Sequence, residues 1–508
     1  TVISSNFIAL MLILTMAMNI HLSTRFIQIK NENQNITKLK LLNYATNKMF
    51  LPILYTGLTT ICAFLSLIFS GIKPVIDFGW MMTLGIITSI ITTFTLLPSL
   101  INFFDEKSIY NINTKEDTKI TKILSNFTIK NKNIVFATSV LVVLLSIFGV
   151  SKLKVENSFI NYFDKDTEIY KGMKLIDDEL GGTTPLEIIL NFPKEDSEDL
   201  EQEDDDWGND DGDDAKYWFT KDKIDKISKV HNYLENLEHV GKVLSFHSVL
   251  KVAESLNNNK PLGSLEIGVL YTKLPENIKS EIVSPYISIE SSEARINLRL
   301  KDSNQNLRRN DFINKIKFDL KNKLNLKEDE FRLAGVLIIF NNLLQSLFKS
   351  QILTLGFVMV GIFLMFFILF RNIKLSLVGI IPNLIAAFFI LGIIGILKIP
   401  LDMMTITIAA ITIGIAVDNS IHYIYRFREE FSILKDYKKT LKKCHSTVGV
   451  AIVNTSIIIV FGFSILVLSN FIPTIYFGIF TGMAMLLAMI LVLTLLPSFL
   501  ITFKPFDK

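Results

Sequence analysis

The chain has 508 residues, half of them hydrophobic, with a mean hydropathy of +0.40 and only 20% charged residues. Soluble domains carry about 25% charged residues and lack long uncharged apolar runs, so a soluble enzyme and a disordered scaffold are excluded. The net charge of +3 has meaning only once divided by region, and Cys62 and Cys444, with no C-x-x-C partner, indicate neither a disulfide framework nor a zinc site.

In chain order, nine runs are long enough to span a bilayer, which takes about 20 apolar residues. They are 2–22, 50–69, 75–103, 134–150, 352–370, 375–397, 403–425, 448–468 and 473–503. Four precede a large polar region and five follow it. The first begins without a methionine or a basic leader, so the chain is expected to start partway through a larger protein. Lys and Arg in short loops mark the cytoplasmic side. They gather after the first span (Arg25, Lys30, Lys38, Lys40, Lys48), before residue 134 (Lys107, Lys115, Lys119, Lys122, Lys130, Lys132), at Arg371 and Lys374, and between 426 and 443. The region 151–348 holds 27 basic and 37 acidic residues, a balance of −10, leaving +13 for the rest. An acidic domain outside and a basic membrane face inside are consistent with these numbers.

A repeat runs through the apolar blocks. Leu96-Leu97-Pro98-Ser99 recurs as Leu495-Leu496-Pro497-Ser498, and Pro74, Phe78 and Gly79 recur as Pro473, Phe477 and Gly478, all at an offset of 399. Thr56 and Ser70 map onto Thr455 and Ser469. Ile20-His21 and Arg25-Phe26 match Ile421-His422 and Arg426-Phe427 at an offset of 401. Two parallel halves of six spans follow from this pattern, with roughly 270 to 290 residues expected ahead of the first block by the same offset arithmetic. The expected divisions are 1–105 (helices four to six), 106–133 (cytoplasmic loop), 134–150 (helix seven), 151–350 (outside domain), 351–503 (helices eight to twelve) and 504–508 (cytoplasmic tail).

In the outside domain, alternation predicts strands at 186–191, 242–246, 294–300 and 331–334. Helical periodicity predicts helices at 220–237, from the end of the 242–246 strand to about 257, and at 310–324, the last with Phe312, Ile313, Ile316, Phe318 and Leu320 on its apolar face. This is an α+β domain of split β-α-β units. Residues 195–214 carry 13 acidic residues in 20. With Gly212 as the loop glycine, Trp207 falls at the first ligand position of a calcium loop, so that pattern fails. A solvated insertion is expected, with weak cation or partner binding as the other reading.

The chemistry-bearing stretch is Gly414-Ile415-Ala416-Val417-Asp418-Asn419-Ser420-Ile421-His422, inside the seventh span. An ionisable residue within a membrane helix marks a functional site by default. Gly414, Asp418 and His422 follow at i, i+4 and i+8 on one face. Gly414 permits close helix approach, and His422 can share a hydrogen bond or a proton with Asp418, as a proton carrier requires. A purely structural hydrogen bond near the cytoplasmic interface is the other reading, because Asp418 lies about 22 Å along the helix from Met403. Asn419 joins Asp418 and His422 as a proton-coupling candidate; Asn454, Thr455, Asn19 and His21 are secondary polar candidates, with Ser456, Thr405, Thr407, Thr412 and Asn383 behind them, and Asp402 is expected to be solvated at the outer end. There is no phosphate-binding loop, since Gly241-Lys242 is followed by Val243, and no metal or nucleophile constellation. No cofactor other than a proton gradient is expected, and no nucleic-acid partner.

Gly414–Asp418 with Ile421-His422, Arg426-Phe427-Arg428-Glu429-Glu430, the Leu-Pro-Ser block ends and the order of spans resemble the resistance–nodulation–division superfamily. The branch it most resembles is that of the exporters related to the mycobacterial large membrane proteins and hopanoid transporters, with kinship to Patched and the sterol-sensing domain. The resemblance implies a polytopic α-helical membrane protein, here nine helices of twelve, with an α+β porter domain. It also implies proton-driven export of lipids or other amphiphiles from a bacterial inner membrane, with the large domain in the periplasm or outside. A homo-oligomer or a periplasmic partner stays open. Many family members carry an acidic residue in both halves, but here Ala17 stands opposite Asp418. A lipid or sterol sensor of the same fold, and an accessory to protein export of the SecDF type, are the rival readings.

Overall fold

The computed structural model describes residues 7–32, 37–103, 119–153, 158–193, 218–304 and 307–506. The first elements are helices α1 (Phe7–Glu32), α2 (Lys38–Leu65), α3 (Lys73–Phe103), α4 (Lys119–Lys130), α5 (Lys132–Val150) and α6 (Glu168–Glu179). Then come β1 (Thr184–Asn191), α7 (Lys221–Glu235), β2 (Val240–Leu244), α8 (Phe246–Leu256), α9 (Ser264–Lys273), β3 (Ile287–Ser288), β4 (Glu293–Leu300), α10 (Arg309–Asn322) and β5 (Phe331–Ala334). The last are α11 (Val336–Phe370), α12 (Ile373–Ile396), α13 (Met403–Leu434), α14 (Tyr437–Ser446), α15 (Val448–Ser464) and α16 (Ile472–Phe503). The chain divides into two compact units, Thr1–Asn157 with Leu344–Lys508, and Ser158–Leu343. Residues 195–214 lie outside the described residues, as do the start of the first span and all of 106–118.

Nine helices among the described residues are long and apolar enough to cross a membrane. A helix satisfies every backbone donor and acceptor internally, so it is the form such segments take in lipid. α13 is the least hydrophobic of the nine and the most enclosed, with 94% of its central window buried by its neighbours. It packs against α2, α12, α14, α15 and α16. Its polar residues therefore face protein rather than lipid, which is where a membrane protein can keep them.

The internal repeat is a repeat of contacts. Phe64 meets Phe78 edge-on at 5.9 Å, and Phe463 meets Phe477 edge-on at the same 5.9 Å. A methyl group on Gly79 would press within 2.6 Å of the Phe64 carbonyl oxygen, and one on Gly478 within 2.6 Å of that of Phe463. The glycine of each copy lets α3 approach α2, and α16 approach α15, at the same point. The copies differ in one helix: α2 runs unbroken, whereas its counterpart is divided into α14 and α15 at Thr447.

The second unit is built on an antiparallel sheet of order β2-β4-β1-β5, with β3 also on β4. β1 and β2 flank β4, and β4 and β5 flank β1, so α7 and α10 each complete a split β-α-β unit. Leu186, Ile188 and Leu190 pair with Leu298, Ile296 and Ala294. That inward face is closed by Ile227, Val230 and Leu234 of α7 and by Phe312, Ile313, Ile316 and Leu320 of α10.

Several expectations are corrected. The stretch 106–133 is not all loop, since α4 occupies Lys119–Lys130. Its polar Thr121, Ser125 and Thr128 point inward, the reverse of the usual pattern. Phe318 is 63% exposed rather than on the apolar face of α10, because it falls outside the stripe set by Phe312, Ile316 and Leu320. Asp402 is buried, not solvated, because its carboxylate caps α13 by accepting from the Met404 and Thr405 N–H groups, each at 2.8 Å. α13 runs on to Leu434, well past 425, so Asp418 stands at the middle of a 32-residue helix.

Candidate functional site

α13 brings its small residues against α2. Gly414 has no room for a side chain, because a methyl there would overlap Ala63, and the Thr60 hydroxyl donates to the Gly414 carbonyl at 3.2 Å. One turn further along the same face stands Asp418. His422 Nε2 lies 3.1 Å from Asp418 Oδ1, and His21 Nε2, from α1, lies 3.9 Å from Oδ2. The two imidazoles stack at 4.0 Å with 14° between their planes. Both are buried. His21 Nε2 and Asp418 Oδ1 complete no well-formed hydrogen bond, so the centre of the site is buried, polar and under-satisfied.

The repeat explains this convergence, since His21 and His422 are equivalent positions of the two copies. Two imidazoles thus present their Nε2 atoms to a single carboxylate. The three ligating atoms lie within 4.8 Å of one another, close enough for a metal to be tested against the geometry. A zinc ion takes each nitrogen at about 2.0–2.1 Å along the lone pair, in the plane of the ring. Stacked, near-parallel rings aim those lone pairs side by side instead of at one point. The arrangement suits a proton passed between carboxylate and imidazole better than a chelated ion.

A second polar layer continues one turn on. Arg25 follows His21 and Arg426 follows His422, each at i+4. Glu429 accepts from Arg25 Nη2 at 3.2 Å, from Lys48 Nζ of α2 at 2.9 Å and from Arg426 Nη1 at 2.6 Å. Arg426 Nη2 also reaches Glu430 Oε1 at 2.5 Å. A cavity of about 40 Å³ lies between the layers, lined by His21, Thr24, Gln28, His422, Tyr425 and Glu429 among others. Sequence reasoning gave this layer no role. Its signal was there, in the matched Arg25-Phe26 and Arg426-Phe427 pairs.

The other candidates fall elsewhere. Asn419 turns to Ser456 of α15, donating at 3.4 Å. Asn19 accepts from Thr93 at 3.0 Å. Thr455 bonds back to its own helix at Ala451 and Ile452. Asn454 is exposed on α15, away from Asp418. Asn383 donates to Ser420 at 2.9 Å. An apolar cleft of about 450 Å³ opens between α5 and α12, lined by Val143, Ile147, Val150, Ile381, Leu384 and Phe388 among others.

The MMPL family pattern matches residues 215–506. A protein of Methanocaldococcus jannaschii, described by its name only as a membrane protein, is 26% identical over 378 residues, covering 72% of this chain and 90% of its own length. The solved structure of the hedgehog release protein Disp from the water bear Hypsibius dujardini superposes with a TM-score of 0.58 at 13% identity. That likeness is one of fold, covering 97% of this chain, which spans 62% of the Disp chain. With more than half its residues matched, the chain belongs to the MMPL family, a family of membrane transporters rather than enzymes.

Proposed function

We propose that the protein exports lipids or other amphiphilic molecules, driven by protons that load and leave Asp418. The observation that carries this reading is the approach of two repeat-related histidines to one enclosed carboxylate. Protonating Asp418 removes its attraction for His21 on α1 and His422 on α13. Loss of that attraction gives a proton a means of shifting one half of the bundle against the other. Rocking of repeats around a central site is how such transporters alternate. The apolar cleft of about 450 Å³ between α5 and α12 supports a lipophilic cargo. We place the protein in the plasma membrane of a bacterial-type cell, with the basic loops in the cytoplasm and the acidic domain on the other side.

The test uses the full-length protein in vesicles, with internal pH followed under an imposed proton gradient. Asp418→Asn is expected to reduce proton uptake to the level of empty vesicles. A well-folded Asp418→Asn protein that takes up protons like the wild type would falsify the reading. In that case the same cleft favours a lipid or sterol sensor, which needs no proton flux.

A further inference from the structure

We infer that Glu429 is the closing residue of the proton path: its carboxylate locks the basic-loop end of the bundle over the water space that leads to Asp418. This rests on the proton-coupled reading of Asp418 and extends it to a residue two to three turns away.

Two observations carry the inference. First, Glu429 is a junction of three helices. Arg25 comes from α1, Lys48 from α2, and Arg426 from α13 itself, and all three reach the one carboxylate. Two of these ties cross between the copies of the repeat, joining α1 and α2 of the first to α13 of the second. Any rocking of one copy against the other must stretch them. Second, the cavity between the histidines and this junction is large enough for at least one water, for which about 10–15 Å³ suffices. Its wall offers the imidazoles, Thr24, Gln28 and Tyr425 as hydrogen-bonding partners. A water there would connect His21 and His422 to the junction.

The repeat shows why the position matters. At the offset of 401, Arg25 corresponds to Arg426 and Gln28 to Glu429. Arg25 Nη1 reaches Gln28 Oε1 at 3.5 Å, the same i,i+3 contact that Arg426 makes with Glu429 at 2.6 Å. The neutral amide of the first copy has no charge with which to draw cations across. The carboxylate of the second copy draws Arg25 and Lys48 across. The asymmetry of one residue turns a local contact into a lock between copies.

The expected mechanical sequence is simple. With Asp418 charged, His21 and His422 stay drawn to it and the Glu429 junction stays closed. With Asp418 protonated, α1 is released at His21, the strain falls on Arg25–Glu429 one turn below, and the junction parts. The proton then reaches the cytoplasmic side through the opened water space, and the charged carboxylate draws the layers together again.

The experiment compares wild type, Glu429→Gln, Lys48→Met, Asp418→Asn and the double variant Glu429→Gln with Asp418→Asn. Each full-length protein is reconstituted in vesicles, and proton entry is measured without added cargo. Glu429→Gln is expected to leak protons several-fold faster than wild type, and adding Asp418→Asn is expected to abolish the leak. Glu429→Asp, which keeps the charge, is expected to restore most of the seal. If Glu429→Gln does not fold, Lys48→Met is read in its place, since it loosens one tie and leaves the two arginines on Glu429. A folded Glu429→Gln or Lys48→Met protein as tight as wild type overturns the lock, and so does a leak that persists in the double variant. If instead Asp418→Asn alone takes up protons like wild type, the proton-coupled reading itself fails, and the lock with it.

Discussion

At the scale of single residues, the two histidines are unequal. His422 lies on the same helix as Asp418 and within 3.1 Å of it, whereas His21 stands at 3.9 Å on another helix. Electrostatic interaction falls with distance, and a fixed one-turn spacing holds better than a contact between helices. His422→Gln is therefore expected to lower the initial rate of proton uptake by about tenfold, roughly the contribution of a positioned proton-transfer group or less. His21→Gln is expected to lower it by a smaller factor and to weaken the response to Glu429→Gln, since His21 carries the movement to α1. Stopped-flow measurement of internal pH would decide, and equal effects of the two variants would count against this division of roles. Asp418 and His422 were legible in the sequence because a charged residue in an apolar run stands out. His21 was legible only as the repeat-mate of His422. That the two rings would stack could not be read, because a repeat fixes equivalence of position and leaves open whether equivalent positions meet.

Among elements, helix contacts made by glycine were partly legible. Gly414 was singled out for close approach, and its neighbour proves to be Ala63. Nothing in the sequence named α2 as the partner. α4 was missed for a clearer reason. Its apolar residues invite burial, yet Ile120, Ile123 and Phe127 are exposed and Thr128 turns inward, its hydroxyl 3.5 Å from the Leu493 carbonyl oxygen. A helix flanked by Lys119, Lys122 and Lys130 with its apolar face outward suits the boundary of a bilayer, where the usual inside-out rule is reversed. Gly414→Val tests the α2–α13 contact. Overpacking of a tight contact costs about 1–3 kcal/mol, so the variant should unfold at a lower temperature in detergent and lose proton uptake. Gly356→Ala on α11 is the control. Its added methyl meets nothing within 4 Å, and alanine is favoured over glycine in a helix by roughly 0.5–1 kcal/mol. If the two variants melt together, close packing at Gly414 is not what holds α2 to α13.

Taken as a whole molecule, the chain divides its charge as well as its fold, with the acidic excess in the unit that holds the sheet. Four of the five strands of that unit were legible, β2 two residues out of place, because alternation of buried and exposed residues survives in an antiparallel sheet, as β1 and β4 show; the two-residue β3 is too short to carry such a pattern. Its polar interior was not, because a buried histidine looks like an exposed one in sequence. His231 on α7 and His247 on α8 meet edge-on at 4.9 Å, each bonded at Nδ1 to a serine hydroxyl, Ser245 and Ser228 respectively, at 2.9 Å. Glu235 and Lys251 stand nearby. Burial, with His247 and Lys251 adding to it, lowers the pKa of His231 to about 4, and burial also lowers that of His247. An unfolded histidine titrates near 6.5. The unfolded segment therefore binds more protons than the folded one between those values, and stability present in full above pH 6.5 is lost as pH falls toward 4. Hydrogen exchange on the full-length protein, corrected for intrinsic rates, should show α7 and α8 losing protection over that window. The core strand β4 should lose less. His231→Asn should flatten the dependence, because a neutral amide keeps a hydrogen bond to Ser245 without taking up a proton. An unchanged profile in that variant would mean that the acid sensitivity arises elsewhere in the unit, with its surface carboxylates as the next groups to test.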